Sequence, residues 1–207
     1  MKKILIIDYG MGNIQSVINA FKKLNIYTAV SRSKDDIIKY NNYILPGVGS
    51  FGEAMKKINK YNIKDILVDQ IVNNKKPIIG ICLGMQLFSS FSEENGYHKG
   101  LNLIKGNVIS LAKKKNLFNN NVGWGNILFN KKNNLFYNIK KNNNFYFDHS
   151  YYFQTSKKNV ISYINHKNEI IPVVVKKNNI LGLQFHPEKS QNIGLKLLKN
   201  ISEYHLR

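Results

Sequence analysis

Short isoleucine-rich runs alternate with amphipathic stretches through the first half of the chain, and this rhythm limits the fold more than any other feature. Lys3 to Asp8 stops at Tyr9-Gly10, Tyr43 to Leu45 stops at Pro46-Gly47, and Ile78-Ile79 leads into Gly80 and Cys82. Between the first two runs, Ile14, Val17, Ile18, Phe21 and Leu24 recur at helical spacing over Asn13 to Leu24. Tyr27 to Val30 reads as a further strand, and Ser33 as the N-cap of a short helix reaching toward Tyr40. More helices are predicted from about Phe51 and from Ile63 to Asn73. Such units predict an α/β fold, a mainly parallel central sheet flanked by helices on both faces. Sites in these sheets form beyond the carboxyl ends of the strands, where Asp8 to Gly10, Pro46 to Gly49 and Cys82 all fall.

The second half has another texture. From Ile104 onward, short strands alternate with turns such as Asn119-Asn120-Asn121 and Lys131 to Asn134. Phe145 to Phe153, Val160 to Ile164, Ile171 to Val175 and Ile180 to Phe185 read as antiparallel strands, and Ile193 to Tyr204 as a closing helix. No Gly-, Pro- or Ser-rich linker and no repeat divides the chain, so 1–207 is expected to be a single domain.

Composition removes several classes of function. At 43% hydrophobic and 12% aromatic residues the chain is not disordered, and no apolar run approaches the roughly 20 residues of a membrane span. Asp8 interrupts the N-terminal apolar run too early for a signal peptide, and one cysteine cannot form an internal disulfide, which suits a cytoplasmic protein. The net charge of +19 invites a nucleic-acid reading, but the lysines are scattered in pairs among asparagines. Only Lys113-Lys114-Lys115 forms a run of three, so no nucleic-acid partner is expected.

The lone cysteine lies between two glycines in Gly80-Ile81-Cys82-Leu83-Gly84, a G-x-nucleophile-x-G pattern at a strand-to-helix junction. Small flanking residues allow a turn sharp enough to lift the side chain out of the sheet. The bland alternative is a buried cysteine that packs as a small hydrophobe. A nucleophilic thiol needs a base, and of the five histidines His186 stands out, two residues before Glu188 in GLQFHPEKS. Pro187 breaks the strand there, so both side chains can aim at one place, with the carboxylate orienting the imidazole. Pro46-Gly47-Val48-Gly49 can turn backbone N–H groups inward as an oxyanion hole requires, although an ordinary βα turn has the same look. Gly10-Met11-Gly12 fails as a dinucleotide loop because Gln15 takes the third glycine position. No spacing of His, Cys or acidic residues points to a metal, and no cofactor is implied.

Together, GICLGMQ around Cys82, His186 and Glu188 in GLQFHPEKS, and the PGVGSF loop resemble the class I, triad-type glutamine amidotransferases. DYGMGNIQSV, PGVGSF and the KSQNIG tail are similar to one branch, the glutaminase subunit of imidazole glycerol phosphate synthase, from Asp8 to Leu198. The resemblance implies that Cys82 attacks the glutamine side-chain amide, with His186 as base then acid and Glu188 orienting it. It implies oxyanion donors at Val48, Gly49 and Leu83, and glutamine contacts at Gln86, Glu94, His149, Ser150 and Tyr151. It further implies that ammonia passes to a (β/α)₈-barrel cyclase subunit, which makes imidazole glycerol phosphate and AICAR, in a heterodimer facing Trp124, Tyr146 and Lys189.

Two departures bear on the partner. The branch usually reads Pro-His-Met-Gly-Trp-Asn where this chain has Asn120-Asn121-Val122-Gly123-Trp124-Gly125, and it favours an apolar residue where this chain has Asp148. Paralogues that supply ammonia for amidination of surface or flagellar sugars therefore stand as the alternative. A non-catalytic scaffold and a basic nucleic-acid-binding protein are the readings from other classes.

Overall fold

The computed structural model describes residues 3–113, 120–130, 133–166 and 169–206. Lys114, Lys115, Asn119, Lys131 and Lys132, which figured in the charge run and the turns above, lie outside the described residues. The first half contains β1 (Lys3–Ile7), α1 (Ile14–Lys23), β2 (Tyr27–Ser31), α2 (Lys34–Lys39), β3 (Tyr43–Gly47), α3 (Phe51–Lys60), α4 (Ile63–Val72), β4 (Ile78–Cys82) and α5 (Leu83–Gln86). Ser33 caps α2 as expected, accepting from Asp36 N, and Asn13 caps α1 by accepting from Ser16 N.

The rest contains β5 (Phe91–Ser92), β6 (His98–Lys99), β7 (Gly106–Ser110), β8 (Asn121–Asn126), β9 (Leu128–Phe129), β10 (Asn144–His149), β11 (Tyr151–Thr155), β12 (Val160–His166), β13 (Glu169–Lys177), β14 (Ile180–Leu183) and α6 (Gln191–Tyr204). The main sheet runs in the order β2-β1-β3-β4-β14-β13-β12-β9. Its β2-β1-β3-β4 portion is parallel, and β13, β12 and β9 continue it antiparallel. This is the α/β architecture expected from the sequence.

Two expectations about the second half are corrected. Ile180 to Phe185 was expected among antiparallel strands. The strand Ile180–Leu183 is antiparallel to β13 but parallel to β4, with Leu183 opposite Ile81. A tight turn from β13 decides its first partner, whereas the second comes from a distant part of the chain that no local pattern reveals. Phe145 to Phe153 is likewise two strands. The chain turns at Ser150, so that β10 pairs with β8 while β11 joins β7 in a separate four-stranded sheet.

Both faces of the main sheet are covered, which is why β1 and β4 read as unbroken apolar runs instead of alternating ones. Ile4 and Ile6 pack with Val17 and Phe21 of α1 and with Leu197 and Ile201 of α6. Leu5 and Ile7 pack on the other side with Ile37, Phe51, Ile58 and Leu67. No helix among the described residues is long and apolar enough to cross a membrane.

Candidate active site

Cys82 ends β4 at φ 53° and ψ −110°, a conformation that L-residues rarely adopt. Its glycine neighbours make that turn possible by packing. A Cβ on Gly84 would lie 1.7 Å from the Leu45 carbonyl oxygen, and one on Gly80 would lie 2.6 Å from the Gly84 carbonyl oxygen. Any larger residue would push α5 off the sheet, and the thiol would lose its place.

The pairing of β14 with β4 brings the second half of the site alongside. Just beyond β14, His186 Nδ1 lies 2.7 Å from Glu188 Oε1, and both side chains are only 2% exposed. Burial works against the charged imidazole, but hydrogen bonds with Cys82 and Glu188 and their negative charges outweigh it, and the His186 pKa is pushed up to about 10. His186 is thus held charged beside the Cys82 thiol. The His186 backbone is anchored from behind, since His186 N donates to Tyr146 O at 2.9 Å and Ser190 Oγ donates to His186 O at 2.6 Å. Ser190 Oγ also accepts from Tyr146 N at 3.0 Å, which ties β10 to the triad.

The loop after β3 borders the thiol. Gly47 pairs with Cys82, Val48 is 40% exposed, and Gly49 has φ +98°. Leu83 follows Cys82 directly as the first residue of α5. Glu94 reaches this loop from the far side, where its Oε2 accepts from Phe51 N at 2.7 Å and caps α3 in place of Ser50. Gln86 is buried, and its amide nitrogen donates to Tyr151 O at 2.9 Å and to Gln184 Oε1 at 3.2 Å. His149 is buried as well, its Nδ1 2.8 Å from that same Tyr151 oxygen. Ser150 is the exposed corner between β10 and β11, and its carbonyl accepts from Leu111 N at 2.9 Å. Gln86, His149 and Tyr151 are therefore brought together around one carbonyl, while Glu94 stands at the loop.

One residue of this cluster was not singled out from the sequence. Gln184 is fully buried, and its Nε2 donates to Cys82 Sγ at 3.8 Å. Strand alternation was the available signal, because residues two apart share a face and Gln184 precedes His186 by two. A second polar contact to the thiol comes from the chain itself, with Sγ 3.7 Å from Asp148 O.

Trp124, Tyr146 and Lys189 form one surface patch. Tyr146 and Trp124 face each other across the β8–β10 ribbon with ring centroids 5.9 Å apart, and Lys189 Nζ sits 5.5 Å from the Tyr146 ring. Trp124 is half exposed, as is Val122 beside Asp148 on the same outward face. The Asp148 carboxylate thus occupies a solvent-facing position of β10, where it costs the core nothing.

Comparison with known proteins agrees with this geometry. The "Glutamine amidotransferase class-I" family profile matches residues 5–202. The chain belongs to the class-I glutamine amidotransferase family. Among the relatives of this amidotransferase, "Imidazole glycerol phosphate synthase subunit HisH 1" of Campylobacter jejuni is 39% identical, covering 96% of this chain and 98% of that one. "Imidazole glycerol phosphate synthase subunit HisH" of Halalkalibacterium halodurans is 41% identical, covering 94% and 92%. A solved structure described as a glutamine amidotransferase superposes with a TM-score of 0.74 at 17% identity over 97% of each chain. At that identity the superposition supports the fold alone.

Proposed function

We propose that this chain is the glutaminase subunit of an imidazole glycerol phosphate synthase, hydrolysing L-glutamine at Cys82 and passing the ammonia to a cyclase subunit. The observation that carries the reading is the strained Cys82 turn set against the buried His186–Glu188 pair at 2.7 Å. In this mechanism the Cys82 thiolate adds to the side-chain amide carbon of glutamine. The developing oxyanion is met by the N–H groups of Val48, Gly49 and Leu83. The His186 imidazolium gives its proton to the departing nitrogen, so ammonia leaves and a γ-glutamyl thioester remains. His186 then takes a proton from water as it attacks the thioester, and glutamate is released. Gln86, Glu94, His149, Ser150 and Tyr151 hold the amino-acid end.

The relatives named as synthase subunits support the histidine pathway over the sugar-amidination alternative. The half-exposed Trp124 and the Tyr146–Lys189 contact offer the surface for the cyclase, and the Tyr146 backbone, accepting from His186 N and donating to Ser190 Oγ, links that surface to the triad. The deciding experiment measures glutamate release with and without a cyclase subunit carrying its phosphoribosyl acceptor, and labels Cys82 with an electrophilic glutamine analogue. Strong activation, one mass adduct and loss of both in Cys82→Ala are expected. Activity retained in Cys82→Ala would overturn the triad. Activation by a sugar-modifying partner alone would move the same chemistry to the other pathway.

A further inference from the structure

Asn121 stands directly opposite His149 on the inward face of the β8–β10 ribbon. Its Nδ2 lies 3.0 Å from His149 Nε2, while His149 Nδ1 lies 2.8 Å from the Tyr151 carbonyl oxygen. A carbonyl only accepts, so Nδ1 carries a proton; an amide nitrogen only donates, so Nε2 does not. The opposite amide orientation would turn Oδ1 toward Nε2 and demand an imidazolium. Burial disfavours that ion and holds His149 down to about 4, opposed by the Tyr151 bond. Of the charged groups near it, His186 lowers it further and Asp148, whose side chain points outward, raises it.

His149 Nδ1 and Gln86 Nε2 both donate to the Tyr151 oxygen, and from Gln86 the bonds run on to the thiol. Gln86 shares the Tyr151 oxygen at 2.9 Å and gives its other proton to Gln184 Oε1 at 3.2 Å, and Gln184 Nε2 donates to Cys82 Sγ at 3.8 Å. A neutral ring with its proton on Nε2 instead would leave Nδ1 bare and lose the Tyr151 bond.

We propose that Asn121 is a positioning residue for the glutamine pocket: by donating to Nε2 it fixes His149 as the neutral Nδ1–H tautomer. That tautomer holds the Tyr151 carbonyl, and with it Gln86 and Gln184, in register with Cys82. The inference rests on reading the strand from His149 to Tyr151 as the glutamine-holding strand. Because the asparagine amide does not titrate, His149 keeps this tautomer, and glutamine binding should be insensitive to its ionisation over about pH 5–8.

The test uses the full-length chain with its cyclase partner for kinetics and ¹⁵N-histidine NMR on the chain itself. In the wild type, His149 should stay neutral with Nδ1 protonated down to about pH 5. Asn121→Asp places an acceptor against Nε2, so His149 should titrate in or above the ordinary range near pH 6.5. Its neutral ring should then carry the proton on Nε2 and leave Nδ1 bare toward the Tyr151 carbonyl. The glutamine KM should therefore be raised several-fold at about pH 8 and fall back toward the wild-type value at about pH 6, where the imidazolium restores that bond, with kcat changing less. Asn121→Leu removes the donor without adding charge. It should leave His149 neutral, mix its tautomers and raise KM roughly two- to tenfold at every pH. Unchanged His149 titration and tautomer in both variants would overturn the proposal, as would a shifted titration with a flat KM profile. If the wild type itself lacked glutaminase activity, the functional reading would fail, while the NMR measurements would still decide whether Asn121 sets His149.

Discussion

The backbone of Cys82 holds strain that can be measured by comparing two substitutions. At φ 53° and ψ −110° an L-residue costs about 1–3 kcal/mol over one in an allowed region. Cys82→Ala removes the sulfur but keeps the Cβ and therefore the strain. Cys82→Gly removes both. At an ordinary buried position the step from alanine to glycine costs about 0.5–1 kcal/mol in chain entropy and about 0.8 kcal/mol for the lost methyl burial, roughly 1.5 kcal/mol together. At residue 82, strain relief offsets that loss. The glycine variant should lie within about 0.5 kcal/mol of the alanine variant, or exceed it by up to about 1.5 kcal/mol. Ala54, fully buried inside α3, is the control, and Ala54→Gly should cost about 1.5–2 kcal/mol. Urea titration of the three variants against their parents gives the numbers. In a chain of this size, 1 kcal/mol also moves Tm by about 2–4 °C. If Cys82→Gly proves less stable than Cys82→Ala by as much as Ala54→Gly falls below wild type, residue 82 stores no strain. The sharp turn would then be no part of how the thiol is aimed.

His186→Ala should cost glutaminase activity on the scale of Cys82→Ala, several orders of magnitude, whereas Glu188→Gln should be about two orders milder because it only orients the ring. Steady-state rates with the partner present decide this, and equal losses would contradict those roles. Burial holds His149 and His205 down to about 4 against the upward pull of their backbone hydrogen bonds. Above the unfolded value near 6.5 both are neutral in either state. As pH falls from 6.5 to 4 the unfolded chain takes up protons that the folded chain refuses, so stability drops by about 2–3 kcal/mol for each. His205→Gln keeps a donor for the Ile78 carbonyl and should remove about half of that decline in urea midpoints measured across the window. An unchanged slope would show that His205 is not held neutral.

The sequence by itself determined the local parts of this protein. The apolar runs from Lys3, Tyr43 and Ile78 became strands because isoleucine-rich segments bounded by glycine and proline have few other options. Ser33 capped its helix as its side chain predicts. The strand-to-helix turn at Cys82 was legible because Gly80 and Gly84 leave room for nothing else, and His186 with Glu188 because Pro187 places them two residues apart on one short turn. What joins these pieces was decided only in three dimensions. Hydrophobic pattern shows which faces are buried but not against what. It therefore did not reveal that Ile180–Leu183 lies parallel to β4, and that pairing alone brings His186 to Cys82. Nor did it show the break at Ser150, where the backbone leaves β8 for β7 and turns the Tyr151 carbonyl toward both His149 and Gln86. Polar contacts of this kind carry no periodicity. Gln184 reads in the sequence as an ordinary glutamine, and nothing local pairs Asn121 with a histidine; only tertiary packing sets Asn121 against His149 and Gln184 against Cys82.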